Sequence, residues 1–330
     1  MSTPATVTRA SRTARTARAP LFLLPTPHTR LRPRSADGVH LNVEVHGPDD
    51  APTVVLIHGW TCSIPFWAPV ITALREDLRV VAYDQRGHGA SDIPGQGHYS
   101  VQALVDDLTA VLDAALPEGR KAVLAGHSMG GMTIMASALR ASIQDRTHSA
   151  LLASTGFTDL AKAARILPFA ARHPKWGARA TRSLMNSSLP LGPVTPIGSR
   201  VLKYGTLGPQ ASKQLAKYNA SVVHACRPKP RAAWGHVLDT IELGDSLRQL
   251  AVPTSVLVGT ADRLAKHPYG AIRENVARHP NADAHTLTYL SRDKTQPLWY
   301  LVAFNPNTPS PLQRKLRDRL KRLGDNQPSN

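Results

Sequence analysis

The run Val123-Leu124-Ala125-Gly126-His127-Ser128-Met129-Gly130-Gly131 ends a short apolar segment in a Gly-x-Ser-x-Gly turn. An apolar, small-residue stretch follows, Met132-Thr133-Ile134-Met135-Ala136-Ser137-Ala138-Leu139. The order strand, sharp turn, helix forces the middle residue into a strained backbone conformation with its side chain exposed above the sheet. Gly126 and Gly130 flank it because a side chain there would collide with a neighbouring strand or helix. Ser128 falls at a helix N-terminus, where backbone N–H groups and the helix dipole favour developing negative charge. It therefore reads as a nucleophile; the plainer reading is a serine that only caps a helix.

Before this turn the pattern is regular. Val39 to Val45 alternates as a half-buried strand does. Thr53-Val54-Val55-Leu56-Ile57 is a continuous apolar run, expected of a strand covered on both faces, and it stops at His58-Gly59-Trp60. A helix is expected over 65–74 and a strand over 78–83, which ends in Asp84-Gln85-Arg86-Gly87-His88-Gly89. Val101 to Leu116 has helical spacing, with Leu104, Leu108, Val111 and Leu112 on one face. Strands alternating with helices imply a largely parallel sheet with helices on both faces. Ligands in such sheets bind at the C-terminal ends of the strands, where His58, Asp84 and Ser128 all fall.

After an expected strand over 149–156 the composition changes. Residues 158–248 are rich in Ala, Arg, Lys and Pro and read as a helical cap. The sheet is expected to resume at 252–259, followed by Asp262, and to close with an alternating strand over 284–290. The segment 291–311 reads as irregular, and 312–323 as an amphipathic helix with Leu312, Leu316, Leu320 and Leu323 on one face. The organisation is thus a disordered basic arm (1–35), a core (36–157), the cap (158–248), the rest of the core (249–290) and an atypical basic C-terminal segment (291–330).

The formal charge is +17 over 330 residues, and much of the excess sits at the two ends. Seven arginines from Arg9 to Arg34 precede the first acidic residue, Asp37. Arg314, Lys315, Arg317, Arg319, Lys321 and Arg322 lie near the other end. No zinc-ligand or RNA-binding signature accompanies them, so specific nucleic-acid binding is not expected. No run is long enough for a transmembrane segment, and two cysteines, Cys62 and Cys226, make no disulfide framework. A cytoplasmic setting is expected. The oligomeric state is not legible.

The His58-Gly59-Trp60 stretch, the Asp84–Gly89 loop, the Gly126–Gly131 turn and the strand before Asp262 resemble the α/β-hydrolase superfamily over residues 38 to 290. The resemblance implies an α/β-hydrolase fold with a cap insertion and a serine hydrolase acting on a small, apolar ester or related acyl compound through an acyl-enzyme. It implies that Ser128 attacks a carbonyl carbon and that the backbone N–H groups of Met129 and Trp60 hold the oxyanion. It makes His58 a brace of its loop, and Asp262 the acid that orients the base, with Asp159 as the runner-up. Serine at 128 argues against haloalkane dehalogenases and epoxide hydrolases. No cofactor and no metal is implied. Cofactor-free haloperoxidase activity and acyl transfer remain open.

The pattern breaks at the base. The loop where the family places its histidine reads Leu290-Ser291-Arg292-Asp293-Lys294-Thr295, and no histidine follows His285. His285 serves if the last strand is short; His267 and His279 are weaker candidates. Alternatively the chain is a catalytically weak relative that keeps the pocket for binding, or its final segment is altered. A basic surface-binding protein, with the charged ends as its contacts, is a third function class.

Overall fold

In a computed structural model the described residues are 22–158, 174–191, 195, 202–203, 206–207, 211–257, 284–292 and 296–324. Seven strands form one sheet: β1 (Thr29–Leu31), β2 (Asn42–His46), β3 (Thr53–Ile57), β4 (Arg79–Asp84), β5 (Ala122–His127), β6 (Thr147–Ala153) and β7 (Thr254–Leu257). Their order is β1-β2-β4-β3-β5-β6-β7. β2 is antiparallel to β1 and β4; every pairing from β4 onward along the sheet is parallel.

Period-two alternation explains why the central strands are apolar throughout. Val55, Ile57, Val81 and Tyr83 point to one face, where they pack with α2 (Val101–Ala115) and α3 (Met129–Ser137). Val54, Leu56, Val80 and Ala82 point to the other, against Ile64, Trp67 and Ile71 around α1 (Ala68–Leu74). Both faces are therefore dry, as a parallel sheet requires. α2 starts at Ser100, whose hydroxyl accepts from the Ala103 N–H at 3.0 Å.

A short α4 (Ala141–Gln144) precedes β6, and the described regular elements between β6 and β7 are helices, apart from one isolated bridge between Thr158 and Glu242. This segment holds α5 (Pro174–Met185), α6 (Lys213–Ala225), α7 (Pro228–Asp239) and α8 (Gly244–Arg248). α7 lies against the loops that leave the sheet. The Trp234 indole donates to the Arg86 carbonyl at 3.0 Å, and the Trp60 indole donates to the Arg231 carbonyl at 3.0 Å.

Three expectations are corrected. Part of the expected disordered arm is ordered: Thr29 to Leu31 pair with Val43 to Val45, and Arg30 meets Glu44 at 3.3 Å. The free edge of β2 supplies the order that composition there does not. The expected last strand over 284–290 is a helix, α9 (Ala284–Leu290). The expected irregular run contains another, α10 (Gln296–Phe304). Leu287 and Leu290, three residues apart, face Leu298, Trp299 and Val302 of α10, and Leu316 of α11 (Ser310–Gly324) closes this second cluster. Helical neighbours rather than a sheet edge cover those leucines, so period 3.6 prevails over period two.

Candidate active site

Parallel pairing brings three strand ends together. Ile57 lies between Tyr83 and Gly126 in register, so His58, Asp84 and Ser128 leave the same edge of the sheet. Ser128 has φ 50° and ψ −114°, a conformation that favours glycine. Several bonds hold it there. Its N–H donates to the Ala153 carbonyl at 3.0 Å, and its carbonyl accepts from Thr155 Oγ1 at 2.7 Å and from the N–H groups of Gly131 and Met132 at 2.9 and 3.1 Å. Strain of this kind persists only where the surroundings over-determine it. A Cβ on Gly126 would overlap the Gly130 carbonyl, and one on Gly130 would overlap the Ile57 carbonyl. Both glycines are obligatory at this crossing of β5, β3 and α3.

Gly59 brings the second loop against the turn. A Cβ there would meet His127 Nδ1 at 2.8 Å and Ser128 Cβ at 3.2 Å. The backbone of Gly59 therefore runs beside Ser128, and Trp60 follows it in the chain. Met129 is the first residue of α3, and its N–H is one of the helix-start donors without an intrahelical acceptor.

His58 fixes the second loop from beneath. Gln85 N–H donates to His58 Nε2 at 3.0 Å, so Nδ1 carries the proton and donates to the Gly59 carbonyl at 2.8 Å. Gln85 Nε2 donates to the His58 carbonyl at 2.6 Å. Both ring nitrogens are thus engaged in the fold. Burial pushes His58 down to about 4. His88, edge-on to it at 5.2 Å, is pushed down to about 3, again by burial. Both are neutral in the folded protein at pH 7.

This gives a pH dependence. The folded state keeps both imidazoles neutral, whereas the unfolded chain takes up protons below the usual 6.5. The unfolded state then binds more protons, so stability falls as pH drops from about 6.5 towards 4. At about 1.4 kcal/mol per unit, the two histidines together withdraw several kcal/mol. Urea unfolding at stepped pH checks this: His58→Gln is expected to flatten the acid limb, and an unchanged limb refutes the assignment.

The Asp84–Gly89 loop is structural. The Asp84 carboxylate accepts from Asn42 Nδ2, Ile64 N–H and Ala90 N–H at 2.8–3.0 Å. Arg86 is fully buried among Asp107, Asp37, Ser35 and the His98 carbonyl. Sequence reasoning did not identify this network; buried Arg86 and Asp107 are its members with no exposure. Cys62 and Cys226 are free and buried, which raises their thiols to about 12 and about 11.

Of the residues expected to act, Met129 directly follows Ser128 at the start of α3, and Trp60 directly follows Gly59, whose Cα lies against Ser128. Asp262, the runner-up Asp159, His267 and His279 lie outside the described residues. His285 has a helical backbone in α9 rather than the expected strand, and its side chain is outside the described residues. Among the described residues, no group of three or more His, Cys, Asp or Glu side chains is placed to hold a metal ion.

Residues 54–295, more than half of the chain, match the model of the alpha/beta hydrolase family, and the chain belongs to that family. Over 98 residues it is 39% identical to the 3-oxoadipate enol-lactonase 1 of Acinetobacter baylyi, covering 30% of this chain and 35% of that protein. Over 96 residues it is 42% identical to the bifunctional esterase/perhydrolase DCH of Acinetobacter calcoaceticus, covering 29% and 34%. The matches thus span about a third of the length of these curated relatives. The crystal structure of esterase RhEst1 from a Rhodococcus species superposes with a TM-score of 0.51 at 27% identity, over 72% of this chain and 85% of that one.

Proposed function

We propose that the chain is a serine hydrolase that cleaves a small, apolar carboxylic ester through an acyl-enzyme. The observation that carries this is the strained Ser128 turn set against the Gly59–Trp60 backbone. Ser128 Oγ forms the new bond to the carbonyl carbon. The carbonyl oxygen becomes an oxyanion that the N–H groups of Met129 and Trp60 hold, a term of roughly 2.7–4 kcal/mol per donor. The serine proton passes to a base and then to the departing alkoxide, and water completes the cycle by the reverse route. His285 is the proposed base and Asp262 the acid that orients it. No step requires a cofactor. The names of the similar proteins, an enol-lactonase and two esterases, support an ester or lactone as the substrate class.

A second reading has its own observation. No histidine follows His285, and 284–290 is helical. A chain without a base would retain the pocket for binding alone.

Labelling with a fluorophosphonate separates the two. The expected result is a single adduct on the Ser128 peptide, absent from Ser128→Ala. Loss of labelling in His285→Ala as well supports His285 as the base; retention assigns the role elsewhere. No adduct on folded protein overturns turnover and leaves the binding reading.

A further inference from the structure

We propose that α10 and α11 form a docking surface for an anionic lipid bilayer. α11 carries Arg314, Lys315, Arg317, Arg319, Lys321 and Arg322, all exposed, against one acid, Asp318. Three of its leucines are taken: Leu316 is buried, and Leu312 and Leu320 pack on the cluster with Leu298 and Val302 of α10. The outer side of α10 is left uncovered. Tyr300 and Phe304, four residues apart on one face, are 57% and 54% exposed, with ring centroids 4.5 Å apart.

The two features coincide in space. The Arg317 guanidinium lies 4.8 Å from the centre of the Phe304 ring, so the basic flank of α11 borders the aromatic pair. Arg314 and Lys321, three residues before and four after Arg317, share that flank. The result is one surface with two exposed rings rimmed by three cations and no described ion-pair partner for any of them. The whole chain, these cations included, carries a formal charge of +17.

That chemistry fits the headgroup layer of an anionic membrane. The rings enter the boundary between headgroups and acyl chains, and the cations meet the negative surface. A nucleic-acid duplex would satisfy the cations through its phosphates but, with its bases stacked on one another, offers no apolar layer for the two rings. Among the described residues no helix is long and apolar enough to cross a membrane.

The test is sedimentation of the full chain with vesicles of phosphatidylcholine alone or with phosphatidylglycerol. Binding is expected only to the anionic vesicles and is expected to weaken as salt rises from about 50 to about 500 mM. Neutralising Arg314, Arg317 and Lys321 together to Gln is expected to lower partitioning roughly 100-fold, at about fivefold per cation. Tyr300→Ser with Phe304→Ser leaves the charge unchanged and is expected to lower it roughly tenfold or more. Because the rings are exposed, this double variant keeps its fold, which its melting curve checks. Equal binding to neutral vesicles overturns the proposal. So does unchanged binding in the serine variant, or loss only when the arginines before Asp37 are removed. Duplex DNA bound more tightly than vesicles, and equally by the serine variant, assigns the charge to nucleic acid and refutes it.

Discussion

Ser128→Ala is expected to lower ester turnover by about 10⁶-fold, the size of effect seen when a serine nucleophile is removed. Thermal stability should hardly move. Ser128 sits at φ 50°, and alanine meets the same steric cost there as serine. Its backbone bonds to Ala153, Thr155, Gly131 and Met132 do not involve its hydroxyl. Ser128→Gly makes the complementary test. Glycine adopts this conformation freely, so relief of strain, partly offset by a more flexible unfolded chain, is expected to stabilise the fold by about 1 kcal/mol. Turnover is expected to fall as far as in the alanine variant. Hydrolysis of a p-nitrophenyl ester alongside calorimetry measures both. Activity surviving in Ser128→Ala would remove the serine from the mechanism.

The same turn shows why part of this protein was legible before its structure. The glycines at 126 and 130 have a local cause: a backbone crossing where a Cβ would overlap a carbonyl. Local causes leave local signatures, and the apolar runs of β3, β4 and β5 are of the same kind. Segment 284–290 is ambiguous for an equally physical reason. His285, Leu287 and Tyr289 alternate with threonines, while Leu287 and Leu290 have helical spacing. Only the partner decides, and here it is the helix α10. β1 leaves no such signature, because Thr29-Arg30-Leu31 has no apolar alternation and owes its shape to the edge of β2. Arg86 read simply as part of a glycine-punctuated loop. Its carboxylate partners Asp107 and Asp37 are 21 and 49 residues away, a distance at which no spacing rule operates. The proposed acid and base stay unplaced for another reason, since Asp262 and the His285 side chain are outside the described residues.

Arg86→Met is expected to cost 3–5 kcal/mol, about the penalty for breaking a buried ion pair from one side. Arg86 Nε and Nη2 donate to the two Asp107 oxygens at 2.8 and 2.6 Å, a bidentate pair with neither side chain exposed. Nη1 donates to Asp37 at 2.7 Å and to the His98 carbonyl at 2.8 Å, and Nη2 also reaches Ser35 Oγ at 3.1 Å. Methionine fills similar space but strands the Asp107 carboxylate in the core without a counter-charge. Asp37 is partly exposed and can be solvated, so the cost comes chiefly from Asp107. Arg86→Met with Asp107→Leu is therefore expected to recover most of the loss, because an apolar pair needs no partner. Arg86→Lys is expected to remain well below the parent, since one ammonium cannot span two carboxylates, a serine and a carbonyl. Urea midpoints for the four proteins decide it; a single-variant loss below about 1 kcal/mol would contradict the buried geometry. The effect should also reach the proposed site. The Arg86 carbonyl accepts the Trp234 indole of α7, and the Arg231 carbonyl of the same helix accepts the indole of Trp60, the residue after Gly59. A disordered 84–89 loop would therefore loosen α7 and, through it, the Gly59–Trp60 backbone. Turnover per folded molecule is expected to fall in Arg86→Met and to return with stability in the double variant.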